Sequence, residues 1–437
     1  VQHTRHDTTC PACGNRDRLL LLGARNATLG SQVVENSWAS PFNDDKKLIA
    51  FSDSVQDAAH RAGFFGARTY MNNVRTAWAH VMDELGLKAM PWSAFVERAH
   101  ARFNEPGSVL HMEPARVVSE FLGPNMAWQH DWSVELLQKN HLPVDSRLPA
   151  KVKKRLVWQL FSDLTYLSQR GRTLERIGKA VLAVPWARLE PLAGQLLAVF
   201  REQYGAQGID QVTIVQWLWG MLTRMRQRGG VLDPELSVYA ADGNVFALTK
   251  TAGRGEWLPG MGANTPRPVF VTLGKHSDFD KLVGSGRQTW YERWASEVLG
   301  QQMLLAKGMA SDLYGEATRV LVAEGVVIKT NHHLGDTLAL NPDALMLYGE
   351  VAFVATEGSK RRLAVPREDA EHLVGMPCLD ALDARYEALI PDAADWWAQR
   401  FSHGDLRRVI PAEHTGLLER SMREALENRF KDKHPRP

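Results

Sequence analysis

Lys47–Tyr70 reads KLIAFSDSVQDAAHRAGFFGARTY, and its opening decides how the remaining chain is read. Leu48, Ile49, Ala50 and Phe51 form an unbroken apolar run of the length a buried parallel strand shows. Ser52, Asp53 and Ser54 interrupt the run, and a helical pattern follows. Ser52 or Ser54 serves as N-cap, leaving free backbone N–H groups to point outward from the strand's carboxyl end. A hydroxyl beside a helix N-terminus on that edge suits a phosphate oxygen. Strand–turn–helix units also serve as plain scaffold, and the spacing leaves both readings open.

The helix after this turn extends to about Leu85. Met71, Val74, Trp78, Val81 and Leu85 recur at three- and four-residue steps, and Gly86 supplies a stop. Arg61, Arg68 and Arg75 fall on one face, as a solvated surface or a groove lining nucleic acid. From Met90 to Arg228 the pattern is helical, divided by Pro91, Pro106, Pro114, Pro124, Pro143, Pro149, Pro185 and Pro191. Tryptophans on the stripes around Trp158 and Trp217 are read as core. Three arginines in Arg224–Gly230 suit the negative end of a helix macrodipole.

Two stretches have the outline of a helix followed by a hairpin. The weaker places short strands at Ser237–Tyr239 and Val245–Thr249. The stronger has a helix from Leu313 closed by Gly325, then strands Val326–Lys329 and Thr337–Leu340 around the tip Asn331–Asp336. This is a winged-helix pattern. Lys329, His332 and His333 on its wing would meet a phosphate backbone, or the unit packs other elements. Past Pro411, a final helix carries Leu418, Met422, Leu426 and Phe430 four apart, with pairs Glu419–Arg423 and Glu427–Lys431 outside.

The chain has 437 residues, enough for two or three domains, 44% apolar content and a net charge of +2. Nucleic-acid affinity therefore has to come from a local surface, not from the molecule as a whole. Three cysteines exclude a disulfide framework, and no apolar run reaches membrane-spanning length. A cytoplasmic location and no membrane partner are expected. Cys10-Pro-Ala-Cys13 is half of a zinc site. Tetrahedral zinc needs two further ligands, either His3 and His6 or a pair lying upstream. The chain starts at Val1 with that half-site already under way and stops at Pro437 soon after a helix, as tag removal or processing would leave it. An internal piece of a longer polypeptide is the preferred expectation.

Leu48–Phe65 resembles motif IV, near the start of the second RecA-like lobe of superfamily 2 DEAD/DEAH-box helicases. It is most similar to large DUF1998-type helicases such as those of Druantia-type anti-phage systems. Arg407–Phe430, RRVIPAEHTGLLERSMREALENRF, resembles the strand and helix carrying motif IVa of the same lobe. The resemblance implies an α/β fold, a partial RecA-like parallel sheet split by a large, mostly α-helical and winged-helix insertion. The expected divisions are a flank over 1–46, motif IV over 47–90 and a helical insertion over 91–230. They continue with a loop-rich part over 231–300, a winged-helix and degenerate zinc-ribbon region over 301–400, and motif IVa over 401–437. In that region Glu350–Tyr386 keeps one cysteine, Cys378, too few for zinc. Ser52, Ser54, His414 and Thr415 would lie on one nucleic-acid-facing rim.

The resemblance further implies that a longer parent couples ATP and Mg²⁺ to movement on nucleic acid, DNA foremost, in phage defence or repair. Its partners would be the remaining helicase lobes and defence-system proteins. This chain has no GxxxxGK[ST] loop, and Asp369-Ala-Glu-His372 matches an acidic helicase box in letters only, being read as lacking a preceding apolar strand. It is therefore expected to be inactive as an ATPase. The alternative is a non-enzymatic winged-helix nucleic-acid-binding or scaffold protein with an inactive helicase-like lobe.

Overall fold

The structure is a computed structural model that describes residues 33–34, 36–38, 40, 42–43, 55–242, 257–259, 261, 265–274, 278–300, 309–332, 334–359, 361–389, 396–410 and 419–431. It is a mixed α/β chain with several small sheets and one continuous apolar core. The strand expected at Lys47–Phe51 lies outside the described residues.

Helix α1 (Val55–Glu84) is the central element. Its second half is buried on every side, with Tyr70, Val74, Trp78 and Val81 alongside the polar Asn73, Arg75 and Thr76. A helix buried all round must satisfy its polar side chains internally. Trp78 donates its indole N–H to the Leu156 carbonyl at 3.1 Å, and Arg75 pairs with Asp163 at 2.7 Å. Arg75 therefore belongs neither to a solvated face nor to a groove. The helix ends where the sequence places it, at Gly86 with φ +56°, and Leu87 N–H bonds the Met82 carbonyl at 3.0 Å.

Then come α2 (Trp92–Arg102), α3 (Pro114–Phe121), α4 (Leu148–Leu164), α5 (Trp186–Tyr204) and α6 (Gln211–Gln227); α3 and α4 pack on α1, while α5 and α6 pack on each other. Prolines open several of them, as the sequence indicates, but Pro191 sits inside α5 and ends nothing. The burial of Leu189, Leu192, Leu196 and Phe200 along α5 outweighs the local hydrogen bond that proline removes. Ser237–Tyr239, expected as a strand, is helical within α7 (Ser237–Asp242). Asp233 caps the preceding turn by accepting from Glu235 N–H, and Tyr239 packs among Phe270 and Phe279.

Among the described residues, three small sheets flank the helices. Strands β1 (Ala89–Pro91), β2 (Val181–Ala183) and β7 (Met346–Tyr348) form one, with β7 in the middle. A second runs β4-β3-β6-β5, from β3 (Val271–Thr272), β4 (Asp280–Lys281), β5 (Val327–Thr330) and β6 (Thr337–Leu340). Helices α8 (Trp290–Leu299) and α9 (Met309–Ala323) lie between β4 and β5 in sequence. The third is an antiparallel sheet, order β10-β11-β8-β9, of β8 (Val351–Thr356), β9 (Arg362–Pro366), β10 (Pro377–Cys378) and β11 (Ala381–Leu389). Among the described residues, parallel pairing is confined to β3 with β4 and a bridge from Val231 to Leu340. Cys378 is buried and in no disulfide, and burial pushes its thiol up to about 11, so it stays a neutral packing group.

The third sheet corrects one reading. An apolar strand does precede Asp369-Ala-Glu-His372: β9, buried from Leu363 to Pro366. It is an antiparallel edge strand, however, and the tetrapeptide continues into the short helix α10 (Ala370–Leu373), so the likeness to an acidic helicase box remains one of letters. Asp369 is 2% exposed and its Oδ2 has no hydrogen-bond partner. Burial, then the neighbouring Glu368, raises its carboxyl to about 7. A carboxyl raised on folding stabilises the fold fully below its unfolded value and loses that contribution as pH rises through its folded value. Asp369→Asn is therefore expected to be neutral near pH 4 and to stabilise by about 1–3 kcal/mol at pH 8. Denaturant melts of both proteins across that range check it; equal slopes with pH would refute it.

Past β11, α11 (Trp396–His403) packs on α1, and α12 (Arg420–Lys431) follows. Residues 407–410, expected to begin a strand, pair with no described strand; 411–418 lie outside the described residues. Val409 and Ile410 suit a strand, but here the Arg408 guanidinium lies over Tyr70 of α1 and its backbone N–H is taken by Glu120 of α3 instead.

Candidate nucleic-acid interface

Cys10, Cys13, Ser52, Ser54, His414 and Thr415 lie outside the described residues. Among the described residues no group of three or more His, Cys, Asp or Glu is placed to hold a metal. A cavity of about 10 Å³ lined by Leu189, Trp219, Leu222, Leu340 and Leu345 admits at most one water.

The first feature is a seam between distant parts of the chain. Arg400 donates to Thr76 Oγ1 at 3.2 Å across 324 residues. Lys179 joins Asp83 of α1 at 2.6 Å to Ser402 of α11 at 3.0 Å. Arg408 lies 5.3 Å over the Tyr70 ring, donates to the Leu122 carbonyl, and gives its backbone N–H to Glu120 at 2.8 Å. Phe401, Leu406 and Val409 are buried along the same line, each contributing about 1.5–3 kcal/mol of apolar burial. Burial pushes the Glu120 carboxyl up, while burial holds the Arg408 guanidinium down to about 10. This is a structural closure rather than a binding face.

Several cationic clusters seen in the sequence have side-chain partners inside the fold. Arg226 pairs with Glu175, Arg228 bonds Asp280 at 2.8 Å, and Arg224 lies 5.1 Å over the Trp290 ring. Arg155 donates to Asn125 at 2.9 Å and to the Trp257 carbonyl at 2.7 Å. In the helix–hairpin unit, β5 and β6 form as expected and Gly325, φ +67°, closes α9. The face it presents is acidic, however. Asp312 is exposed, and Glu316 pairs with Arg319 at 2.8 Å. At the hairpin, Lys329 pairs with Asp336 at 3.0 Å, and a ring nitrogen of His332 accepts from Leu334 N–H. His333 lies outside the described residues. A helix that reads nucleic acid needs net positive charge, which this face lacks.

One arginine-bearing stretch at the surface is not singled out by the sequence reading. Between α4 and β2 the chain runs Gln169-Arg-Gly-Arg-Thr-Leu-Glu-Arg-Ile-Gly-Lys179. Its underside is fixed by buried groups. Asp163 accepts from Leu174 N–H at 2.9 Å while also pairing with Arg75. Thr173 donates to the Ser168 carbonyl at 2.6 Å, and Glu175, fully buried, is held by Arg226 and Gln169. Arg170 and Arg172 are exposed and Arg176 half-buried. Arg172 stacks 3.9 Å from the Trp397 ring of α11. Arg362 of β9 reaches the Arg176 carbonyl at 3.3 Å and lies 4.3 Å over Phe353. The signal available in sequence was the Arg-Gly-Arg and Glu-Arg spacing; that Glu175 faces inward is set by Arg226 of α6, 51 residues later. No protein-family model, curated protein or solved structure matches the chain.

Proposed function

We propose that this chain is part of the second motor lobe of a superfamily 2 helicase. In this reading the helical and winged-helix region is an insertion between two stretches of one RecA-like sheet. The observation that supports it is the seam. Residues 396–410 return to α1 after more than three hundred residues, as an insertion that leaves and rejoins a single lobe requires. Ser52 and Ser54 would then share a rim with His414 and Thr415, where helix N-termini favour phosphate. The chain has no phosphate loop for ATP, and hydrolysis with Mg²⁺ belongs to the rest of a longer parent acting on DNA in defence or repair.

A second reading draws on the strand order β3-β6-β5 with α8 and α9 between β3 and β5, the connection of a winged helix. With its acidic outer face, that unit suits packing or partner contact better than groove reading, and it fits a non-enzymatic scaffold. A crystal structure of the chain separates the two. The motor reading expects Lys47–Phe51 and Arg407–Ala412 as parallel strands of one sheet, and no ATP turnover by the chain alone with or without DNA. Antiparallel pairing, or strands in different sheets, would end it.

A further inference from the structure

We propose that acid releases α11 from α1, with His80 as the group that takes up the proton. The inference uses the seam as a piece of structure and does not depend on the motor reading.

Thr76, His80 and Asp83 stand at i, i+4 and i+7 of α1 and so share one face of the helix. The two outer members both meet the returning segment. Thr76 Oγ1 accepts from Arg400 at 3.2 Å, and the Lys179 ammonium joins Asp83 at 2.6 Å to Ser402 at 3.0 Å. His80 therefore looks toward α11 from between them. Its Nε2 is buried and has no hydrogen-bond partner among the described residues. A neutral imidazole can occupy that position. An imidazolium has a donor on each ring nitrogen, and here one of them would face no acceptor.

The charges around His80 offer such a proton little. Asp83 and Glu84 come from α1 itself, Lys179 from the stretch before β2, and His403 from α11, with Arg400 one turn earlier on that helix. Both carboxylates are already engaged. Asp83 takes the Lys179 ammonium with both oxygens, at 2.6 and 2.7 Å. Glu84 accepts from Ser108 Oγ at 2.9 Å and from Val109 N–H at 2.7 Å. Burial holds the imidazole below the ordinary histidine value; Asp83 and Glu84 offset part of this, and Lys179 and His403 add to it. A group lowered in this way favours the closed seam fully above its ordinary value. That contribution is lost as pH falls through the ordinary value toward the lowered one. The seam is therefore closed at neutral pH and opens more readily below about pH 6.5.

The test is amide exchange of the full chain, read by mass spectrometry from about pH 7.5 to about pH 5.5 with times scaled for the intrinsic rate. Opening at 396–403 is expected to rise by at least about threefold and at most about tenfold, the limit for one histidine over that range. Exchange in α6, which takes no part in the seam, should not follow. His80→Gln cannot become charged and is expected to flatten the response, while His403→Gln is expected to keep it. Should His80→Gln fail to fold, an NMR titration of His80 in the wild type gives the same answer: its protonation and the loss of protection at 396–403 should follow one curve. A flat wild-type response, the same rise in His80→Gln, loss of the rise in His403→Gln, an equal rise in α6, or a charged His80 beside a fully protected α11 would each overturn the proposal. No readout involves ATP or the strands expected at 47–51 and 407–412, so either reading survives failure of the other.

Discussion

Arg226→Ala is expected to destabilise the chain by about 3–5 kcal/mol, among the largest effects of any single change at a polar residue here. Both partners of its pair are buried, with the Arg226 side chain 3% and the Glu175 side chain 0% exposed. Removing the guanidinium leaves a carboxylate whose remaining side-chain donor is Gln169 at 2.6 Å. It also leaves the Leu164 carbonyl, at the end of α4, without that donor. An uncompensated buried charge must either protonate or pull water into the core, and both are unfavourable near neutral pH. The double change Arg226→Met/Glu175→Leu removes both charges and is expected to recover most of the loss, because the desolvation penalty disappears with the attraction. Chemical denaturation of the two variants decides this. If the double variant is as unstable as the single one, the loss comes from packing around Leu164 rather than from the stranded charge. Since Glu175 lies in the arginine loop, Arg226→Ala should also loosen that loop, visible as faster amide exchange at 170–176.

Gly220→Ala is expected to lose about 2–3 kcal/mol, although alanine is the better helix former. A Cβ at this position in the middle of α6 would stand 2.0 Å from the Trp294 ring. Trp294 cannot yield easily. Its indole N–H bonds the Trp217 carbonyl at 2.9 Å, and its ring stacks on Trp290 at 5.5 Å. The substitution therefore drives α6 and α8 apart, opening one of the contacts between the helical region and the unit that carries the β4-β3-β6-β5 sheet. Thermal unfolding would show it directly. A neutral or stabilising result would mean that the two helices pack less closely than described. Restoring room with Gly220→Ala/Trp294→Phe should recover only part of the loss, because the indole hydrogen bond goes with the ring.

Several elements were legible because their causes are local. Gly86 and Gly325 stop α1 and α9 where a left-handed residue is needed, φ +56° and +67°, and no neighbour decides this. The hairpin from 327 to 340 follows from two apolar runs flanking a polar tip. The burial of Trp158 and Trp217 follows from helical spacing. Where the reading failed, a distant contact outweighed the local preference. Pro191 should have ended a helix, but the burial of Leu189, Leu192 and Leu196 on α5 holds it together. Ser237–Tyr239 looked extended, but Tyr239 is fixed in a helix by Phe270 and Phe279.

Charge shows the division most clearly. Composition determines that this chain is nearly neutral, so any polyanion surface has to be local. It cannot say which arginines face water. Arg75 looked like part of a surface stripe and is bound to Asp163, 88 residues on; Arg226 looked like a helix-end charge and is bound to Glu175. Arg170, Arg172 and Arg176 attracted no notice, yet their acidic neighbour is turned inward and Arg362 is brought to their side. Partners separated by fifty to two hundred residues are chosen by how helices and sheets pack, not by spacing along the chain.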